Sequence, residues 1–216
     1  MIHALVPVKN LAAGKSRLLP ELDDAQRQAM ALAMLRDVLE ALLAAQRVSR
    51  VAVVTPDETV ARAAREAGAE AILHLVPGLN GSLEAGAAAL APKPDDGLLI
   101  VLGDVAGALP EELDVLCCAL DSCSGPAIAL APATDGGTAA LLRTPADAIA
   151  PHFGADSAKR HREAADQAGV AYAEIPLPSL SIDLDIAADI EPFLASDNRG
   201  HHTRALLADL HWSHKP

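Results

Sequence analysis

Short apolar runs rich in branched residues alternate with longer helical patterns along most of this chain. Ile2–Val8, Arg50–Thr55 and Leu98–Leu102 are runs of the first kind, and Asp24–Gln46 is a long segment rich in Ala, Leu and Met. Runs this short and this apolar are typical of strands that crossover helices cover on both faces. The alternation therefore predicts one α/β domain with a mostly parallel sheet and helices on both faces.

Weaker patterns complete this prediction along the rest of the chain. Helices are predicted over Glu58–Ala67, Ser82–Leu90, Glu111–Leu120, Asp156–Ala168 and Ala187–Leu194, and strands over Glu70–His74, Pro126–Ala131, Thr138–Arg143, Ala171–Ile175 and Ser181–Asp185. The polar segment Ser196–Gly200 is the clearest break. It predicts a domain over residues 1–195 and a C-terminal tail over residues 196–216.

The charge of the chain limits the classes of partner that it can bind. The 216 residues carry a formal net charge of −12, which argues against a nucleic-acid partner because the basic footprint is missing. No apolar stretch reaches the ~20 residues of a membrane span, and no signal peptide is present, so no membrane partner is expected. The cysteines Cys117, Cys118 and Cys123 form no CxxC pair, which favours a reducing, cytoplasmic location. The alanine-rich helices and Trp212 leave room for a homodimer.

The loop after the first strand concentrates positive charge in this acidic chain. It carries Lys9, Lys15 and Arg17 around a single glycine, Gly14, and it matches neither GxxxxGK[ST] nor GxGxxG. In doubly wound sheets the ligand binds beyond the carboxyl ends of the strands, where this loop lies. Backbone N–H groups and cations of such a loop can surround a triphosphate. The alternative is a solvated basic loop.

Carboxylates occur at two other strand ends. The apolar strand Leu98–Leu102 runs into Gly103 and Asp104, and Asp183 and Asp185 alternate with apolar residues in a segment that reads as extended. Alternation puts the latter two side chains on one face, where they repel each other unless a cation lies between them. Together these residues predict a site for Mg²⁺ or Mn²⁺. The alternative is that Asp104 and Asp185 only cap helices.

Three further segments supply polar groups at strand or helix ends. Asn80, Gly81 and Ser82 precede a predicted helix and could contact a base or ribose, or could cap that helix. The turn Asp135–Thr138 could bind a small anion through its amides, or could serve as a hairpin turn. Ser157 begins another predicted helix and could donate to a phosphate or carboxylate, or could be a simple cap.

Several short strings occur in a fixed order along the chain, namely VPVKNLAAGKSRL, LNGSLEAG, LGD, DGGT, HFGADSAKRH and IDLDIAADI. Together they resemble the phospholactate or phosphoenolpyruvate guanylyltransferase family of deazaflavin coenzyme F-420 biosynthesis, from about Val6 to Phe193. The resemblance implies a Rossmann-like nucleotidyltransferase fold of the nucleotide-diphospho-sugar transferase type. It also implies transfer of GMP from GTP to 2-phospho-L-lactate, phosphoenolpyruvate or 3-phospho-D-glycerate, with release of pyrophosphate.

The resemblance implies roles for individual residues. Metal would be held by Asp104, Asp183 and Asp185, and the phosphorylated acid by Thr138, Gly154 and Ser157. The nucleotide would contact Val6, Lys9, Lys15, Ser16, Arg17, Asn80, Gly81, Ser82 and Gly103. Catalysis would depend on Lys15, Arg17 and Asp104. Two alternatives stay open: a related nucleotidyltransferase with another acceptor, such as molybdopterin, and a homologue that binds nucleotide without turnover.

Overall fold

The computed structural model describes residues 1–11, 22–182 and 184–212. Strands and helices alternate through these residues as the sequence pattern predicts. The strands are β1 (Ile2–Pro7), β2 (Val48–Thr55), β3 (Glu70–Leu73), β4 (Gly97–Val101), β5 (Ala127–Pro132), β6 (Thr138–Thr144) and β7 (Ala171–Glu174). The helices are α1 (Asp24–Ala44), α2 (Glu58–Glu66), α3 (Leu79–Leu90), α4 (Pro110–Cys118), α5 (Ser157–Ala168), α6 (Ile190–Ala195) and α7 (His201–Asp209).

The strands form one sheet in the order β3-β2-β1-β4-β6-β5-β7. β6 runs antiparallel to both of its neighbours, β4 and β5, and the other pairs are parallel. The reversed direction of β6 puts its first residue, Thr138, at the edge where β4 ends. There the backbone N–H of Leu102 donates to the carbonyl of Ala139 at 3.1 Å. The predicted, mostly parallel sheet is confirmed, with one reversed strand that shapes the edge where a ligand would bind.

Helices cover the sheet on both faces, as predicted. On β1, Val6 packs into the core under α1, α2 and α4, together with Leu39 of α1. Its neighbour Leu5 points to the opposite face and packs with Leu83 of α3 and Ala165 of α5. Adjacent strand residues alternate between the faces, so a strand covered on both sides must be apolar throughout. This explains why the strand sequences lack a polar face.

The C-terminal residues add a third apolar cluster against α1. Met34 of α1 packs there with Phe193 of α6 and Leu207 of α7. The carboxylate of Asp37, also in α1, accepts the backbone N–H groups of His202 at 2.8 Å and Thr203 at 2.9 Å, the first turn of α7. Part of the segment 196–216 thus forms a helix docked on α1. The domain boundary at residue 195 stays a prediction.

The prediction of a strand over Ser181–Asp185 is wrong. Its described residues are irregular and lie between a 3-10 turn at Pro178–Leu180 and another at Ala187–Asp189. The carboxylate of Asp189 accepts the backbone N–H groups of Asp185 and Ile186, at 3.0 and 2.8 Å. These donors are therefore used by a side chain and are not available to a neighbouring strand. The predicted helix that follows is likewise divided, because it starts as the second 3-10 turn and continues as α6.

Candidate active site

A cleft of about 520 Å³ opens at the edge of the sheet where β1 and β4 end and β6 begins. Its volume is in the range of small-molecule sites. The predicted site residues that line it are Lys9, Gly103, Asp104, Thr138, Gly154, Ser157 and Asp185. Residues predicted for the metal, the nucleotide and the phosphorylated acid therefore meet in one cleft.

The chain leaves β1 in a defined direction across this edge. The N–H of Val8 donates to the carbonyl of Val54 at 3.0 Å, so the sheet continues one residue past β1. The N–H of Leu11 donates to the carboxylate of Asp57 at 3.0 Å, and the same carboxylate caps α2. Lys9 lies between these two anchors and is exposed at the cleft. The predicted nucleotide residues Lys15, Ser16 and Arg17 lie outside the described residues.

Gly103 allows the loops after β1 and β4 to approach each other closely. A Cβ atom added there would lie 3.1 Å from a methyl carbon of Val8 and 3.5 Å from the carbonyl oxygen of Pro7. The first of these distances is tighter than an ordinary van der Waals contact. A larger residue would therefore push the loop of Lys9 away from Asp104.

The carboxylates of Asp104 and Asp185 line the cleft from different segments, and both are half-buried. Neither caps a helix: α4 follows Leu109, and the 3-10 turn after Asp185 follows Ile186. The capping alternatives from the sequence therefore do not apply. Two carboxylates at one cleft are a donor set that suits a hard divalent cation. Asp183, the third predicted metal ligand, lies outside the described residues.

A separate group of metal-binding residue types lies between α1 and α7. The ligand atoms of Asp37, Glu40 and His202 lie within 4.8 Å of one another. The carboxylate oxygens of Asp37 already accept two backbone N–H groups of α7. Burial raises the pKa of Asp37 against the effect of these hydrogen bonds. Capping of α7 explains this group without a metal ion.

The turn Asp135–Thr138 joins β5 to β6 as a hairpin. The N–H of Ala133 donates to the carbonyl of Gly137 at 3.0 Å, and the N–H of Gly137 donates to the carboxylate of Asp135 at 2.8 Å. Gly136 has a φ of +84°, in the left-handed region that favours glycine. The hairpin interpretation of this turn is thus the one that the backbone adopts. Its effect on the site is to direct Thr138 into the cleft.

Thr138 and Ser157 form a buried polar pair with His161 of α5. The hydroxyl of Ser157 donates to Oγ1 of Thr138 at 3.1 Å, and Nδ1 of His161 lies 3.1 Å from the same oxygen. The exposed fractions are 2% for Thr138, 1% for Ser157 and 0% for His161. Polar groups this buried are stabilised by the hydrogen bonds they make with one another.

His161 is neutral in this environment. Burial lowers its pKa to about 3, and the nearby His152, Arg143 and Arg160 act in the same direction. The backbone N–H of His152 donates to Nε2 of His161 at 2.9 Å, so that nitrogen carries a lone pair and no proton. The sequence reasoning did not assign His161. Its spacing four residues after Ser157, one turn along the same helix face, is the signal that could have identified it.

The start of α5 faces the cleft. Gly154 has a φ of +118°, and its carbonyl accepts the N–H of Ser157 at 3.1 Å. α5 continues for 12 residues from Ser157, so its positive dipole end faces the cleft that Gly154 and Ser157 line. The roles of Gly154 and Ser157 in holding a phosphorylated acid stay predictions.

Four residues predicted to contact nucleotide are not part of the cleft lining. Val6 is fully buried in the core, and Asn80, Gly81 and Ser82 lie in the first turn of α3, which begins earlier than predicted. Asn80 is bonded twice to the backbone of Phe153: it accepts from the N–H at 2.8 Å and donates to the carbonyl at 3.2 Å. The adjacent Leu79 does line the cleft. Asn80 therefore connects α3 to the segment that precedes Gly154.

The sequence reasoning also missed the apolar part of the lining. Ala31 and Met34 of α1 and Leu79 of α3 line the cleft together with its polar groups. In the sequence these residues look like ordinary core positions of amphipathic helices. Only the packed arrangement of α1 and α3 at the end of the sheet distinguishes them from the rest of the core.

Comparison with known proteins agrees with this arrangement. The family model described as guanylyl transferase CofC like matches residues 2–216. The chain belongs to this family. A phosphoenolpyruvate guanylyltransferase of Sphaerobacter thermophilus is 40% identical over 189 residues, covering 87% of this chain and 90% of the relative. A 3-phospho-D-glycerate guanylyltransferase of Phenylobacterium zucineum is 36% identical over 214 residues, covering 97% of each.

The fold is also found among solved structures. A protein from Desulfovibrio desulfuricans that is named as a nucleotide-diphospho-sugar transferase superposes with a TM-score of 0.76 at 17% identity, covering 96% of this chain and 94% of that one. The predicted family, fold type and nucleotidyltransferase class are thus confirmed. Among the described residues, no helix is both long and apolar enough to cross a membrane.

Proposed function

We propose that this CofC-like chain transfers GMP from GTP to a small phosphorylated three-carbon acid and releases pyrophosphate. The observation that carries the proposal is the content of the cleft. The cation of Lys9, the carboxylates of Asp104 and Asp185 and the hydroxyls of Thr138 and Ser157 all meet there. By the motif resemblance, the step would belong to deazaflavin coenzyme F-420 biosynthesis.

The names of the relatives support an order of acceptors. The Sphaerobacter relative is named for phosphoenolpyruvate at 40% identity, and the Phenylobacterium relative for 3-phospho-D-glycerate at 36%. We therefore propose phosphoenolpyruvate as the preferred acceptor and 3-phospho-D-glycerate as the second. The third candidate is 2-phospho-L-lactate, which the motif resemblance alone suggests.

The proposed reaction needs positioning more than it needs a base. An oxygen of the acceptor phosphate forms a bond to the α-phosphorus of GTP, and the bond from that phosphorus to the β-phosphate oxygen breaks. The attacking oxygen is already ionised at neutral pH, so no side chain has to remove a proton. Thr138 and Ser157 would hold the acceptor at the start of α5, and catalysis would come from orientation and charge stabilisation.

Two anions must approach each other in this reaction. Asp104 and Asp185, together with Asp183, would hold Mg²⁺ or Mn²⁺, which when bound would neutralise charge on the phosphates. The half-buried carboxylates that line the cleft fit such a cation, because hard oxygen ligands suit Mg²⁺. Lys9, with Lys15 and Arg17, would balance the charge of the leaving pyrophosphate.

The test is an acceptor panel. The purified chain is incubated with GTP and Mg²⁺ and with each of the three acceptors, and both pyrophosphate release and the mass of the product are measured. We expect a guanylated product with phosphoenolpyruvate at the highest rate. Reactions without acceptor, with EDTA, and with ATP or CTP in place of GTP are the controls. Absence of pyrophosphate release with every acceptor would overturn the proposal.

A further inference from the structure

The hydrogen bonds among Thr138, Ser157 and His161 leave one hydroxyl hydrogen over. The backbone N–H of His152 occupies Nε2 of His161, so the proton of the neutral ring is on Nδ1. That N–H donates to Oγ1 of Thr138, 3.1 Å away, and the hydroxyl of Ser157 donates to the same oxygen. Both lone pairs of Thr138 are then used. Its own hydroxyl hydrogen must be donated elsewhere, and Thr138 lines the cleft.

The result does not depend on which hydroxyl points outward. If the Thr138 hydroxyl donates to Ser157, the hydrogen of Ser157 becomes the one left over, and Ser157 also lines the cleft. In either arrangement the pair has one surplus hydrogen to donate. This is so because Nδ1 of His161 carries the ring proton and cannot accept the hydrogen of either hydroxyl. This part of the cleft therefore offers a donor and selects an anionic oxygen.

We propose that His161 is a positioning residue of the acceptor pocket: it orients the Thr138 and Ser157 hydroxyls so that one donates to an anionic oxygen of the acceptor. This inference rests on the proposed function. His161 is fully buried and acts only through Thr138. An ammonium group at this point has no lone pair to accept this hydrogen, so an acceptor that carried one there would be disfavoured.

Two substitutions test the roles of the two nitrogens of the His161 ring separately. His161→Asn keeps a donor close to the position of Nδ1 and loses the group that accepts from His152. His161→Gln keeps a polar acceptor close to Nε2 and loses the donor to Thr138. We expect His161→Gln to raise the KM for the acceptor about tenfold with the KM for GTP within about twofold, and His161→Asn to keep the acceptor KM within about threefold.

A merely structural role predicts a different pattern. Loss of the His152 contact would then make His161→Asn as harmful as His161→Gln, and both KM values would change together. Thr138→Val removes the hydroxyl that His161 orients. If the inference is right, adding His161→Gln to Thr138→Val raises the acceptor KM no further. Additive effects of the two substitutions would overturn it.

The unaltered protein provides a second measurement. Nitrogen-15 NMR of the histidine rings should show His161 as the neutral tautomer with the proton on Nδ1 at neutral pH. A proton on Nε2 would overturn the inference even if the variants fail to fold. Failure of the proposed function looks different, because the wild-type chain would then release no pyrophosphate with any acceptor. Wild-type turnover with an unchanged acceptor KM in His161→Gln would contradict only the role of His161.

Discussion

The polar lining of the cleft falls into two groups: the charged residues Lys9, Asp104 and Asp185, which we call the metal wall, and the hydroxyl residues Thr138 and Ser157, which we call the acceptor wall. The residues of the metal wall are half-buried or exposed. The two hydroxyls of the acceptor wall are almost completely buried and are hydrogen-bonded to each other. The hydroxyls of the acceptor wall are therefore oriented by contacts within the protein, whereas the charged groups of the metal wall would, under the proposed function, act on a bound cation and on phosphates.

This difference assigns separate kinetic roles to the two walls. Groups that are already oriented before the substrate arrives contribute to binding it without reorganisation. Groups that balance the charge that develops as the phosphate bonds form and break stabilise mainly the transition state. Substitutions in the metal wall should therefore lower kcat, and substitutions in the acceptor wall should raise the KM for the acceptor.

The largest expected effect is at the metal wall. Asp104→Asn and Asp185→Asn should each lower kcat at least about 100-fold, because a neutral amide is a weaker ligand for a divalent cation. Melting temperatures should stay close to the wild-type value, since neither carboxylate caps a helix. Steady-state pyrophosphate release at several Mg²⁺ concentrations measures the effect. Asp95→Asn, which alters an exposed carboxylate away from the cleft, is the control. Unchanged turnover in both Asp104→Asn and Asp185→Asn would contradict the catalytic role assigned to the metal wall.

At the acceptor wall, Gly154→Ala should raise the acceptor KM about tenfold or more. The φ of +118° is strained for alanine, by about 1–3 kcal/mol, and the added Cβ would lie 3.1 Å from Nη2 of Arg160. Relief of that strain would move the start of α5 and so displace Ser157. Gly125→Ala is the matched control, because a Cβ there meets nothing within 4 Å. A fall in kcat with an unchanged acceptor KM would assign Gly154 to the other wall.

The sequence was informative where the rules are local. A buried parallel strand ends in the crevice, so the apolar run before Gly103 was enough to predict that Asp104 lies there. The same reasoning identified Lys9 at the end of β1. Helices on both faces followed from the absence of a polar face in the strands. These features depend on the residue types within one segment.

The geometry of the acceptor wall could not be predicted in this way, because it depends on contacts between segments that are distant in the sequence. The direction of β6 is set by its pairing with both β4 and β5, and this reversal puts Thr138 beside Gly103. The tautomer of His161 depends on the backbone N–H of His152, in the segment before α5. The alternating pattern of Ser181–Asp185 is typical of a strand. It carries no sign that the carboxylate of Asp189 accepts the backbone N–H groups of Asp185 and Ile186. Short-range patterns could not supply these contacts.

A smaller effect is expected where Asn80 of α3 holds the segment that precedes Gly154. Asn80→Ala removes both hydrogen bonds to the backbone of Phe153 and should lower the free energy of unfolding by about 1–3 kcal/mol. The acceptor KM should rise about threefold, because the segment before Gly154 loses its anchor. Denaturant unfolding and steady-state kinetics check the two effects. Glu84→Ala is the control, since it alters an exposed residue of the same helix. Equal kinetic changes in both variants would contradict this role of Asn80.

An effect on stability and not on turnover is expected from the pH dependence of the acceptor wall. The folded pKa of His161, about 3, lies below its ordinary value of 6.5, so the unfolded chain binds a proton more readily between these values. His161 should therefore lower the free energy of unfolding as the pH falls below 6.5, by up to about 1.4 kcal/mol for each pH unit. Asparagine does not titrate, so the wild-type protein should lose more stability than His161→Asn when denaturant unfolding is compared above and below this pH. Parallel curves for the two proteins would mean that His161 titrates normally in the fold. The buried, neutral ring would then no longer distinguish the acceptor wall from the charged groups of the metal wall.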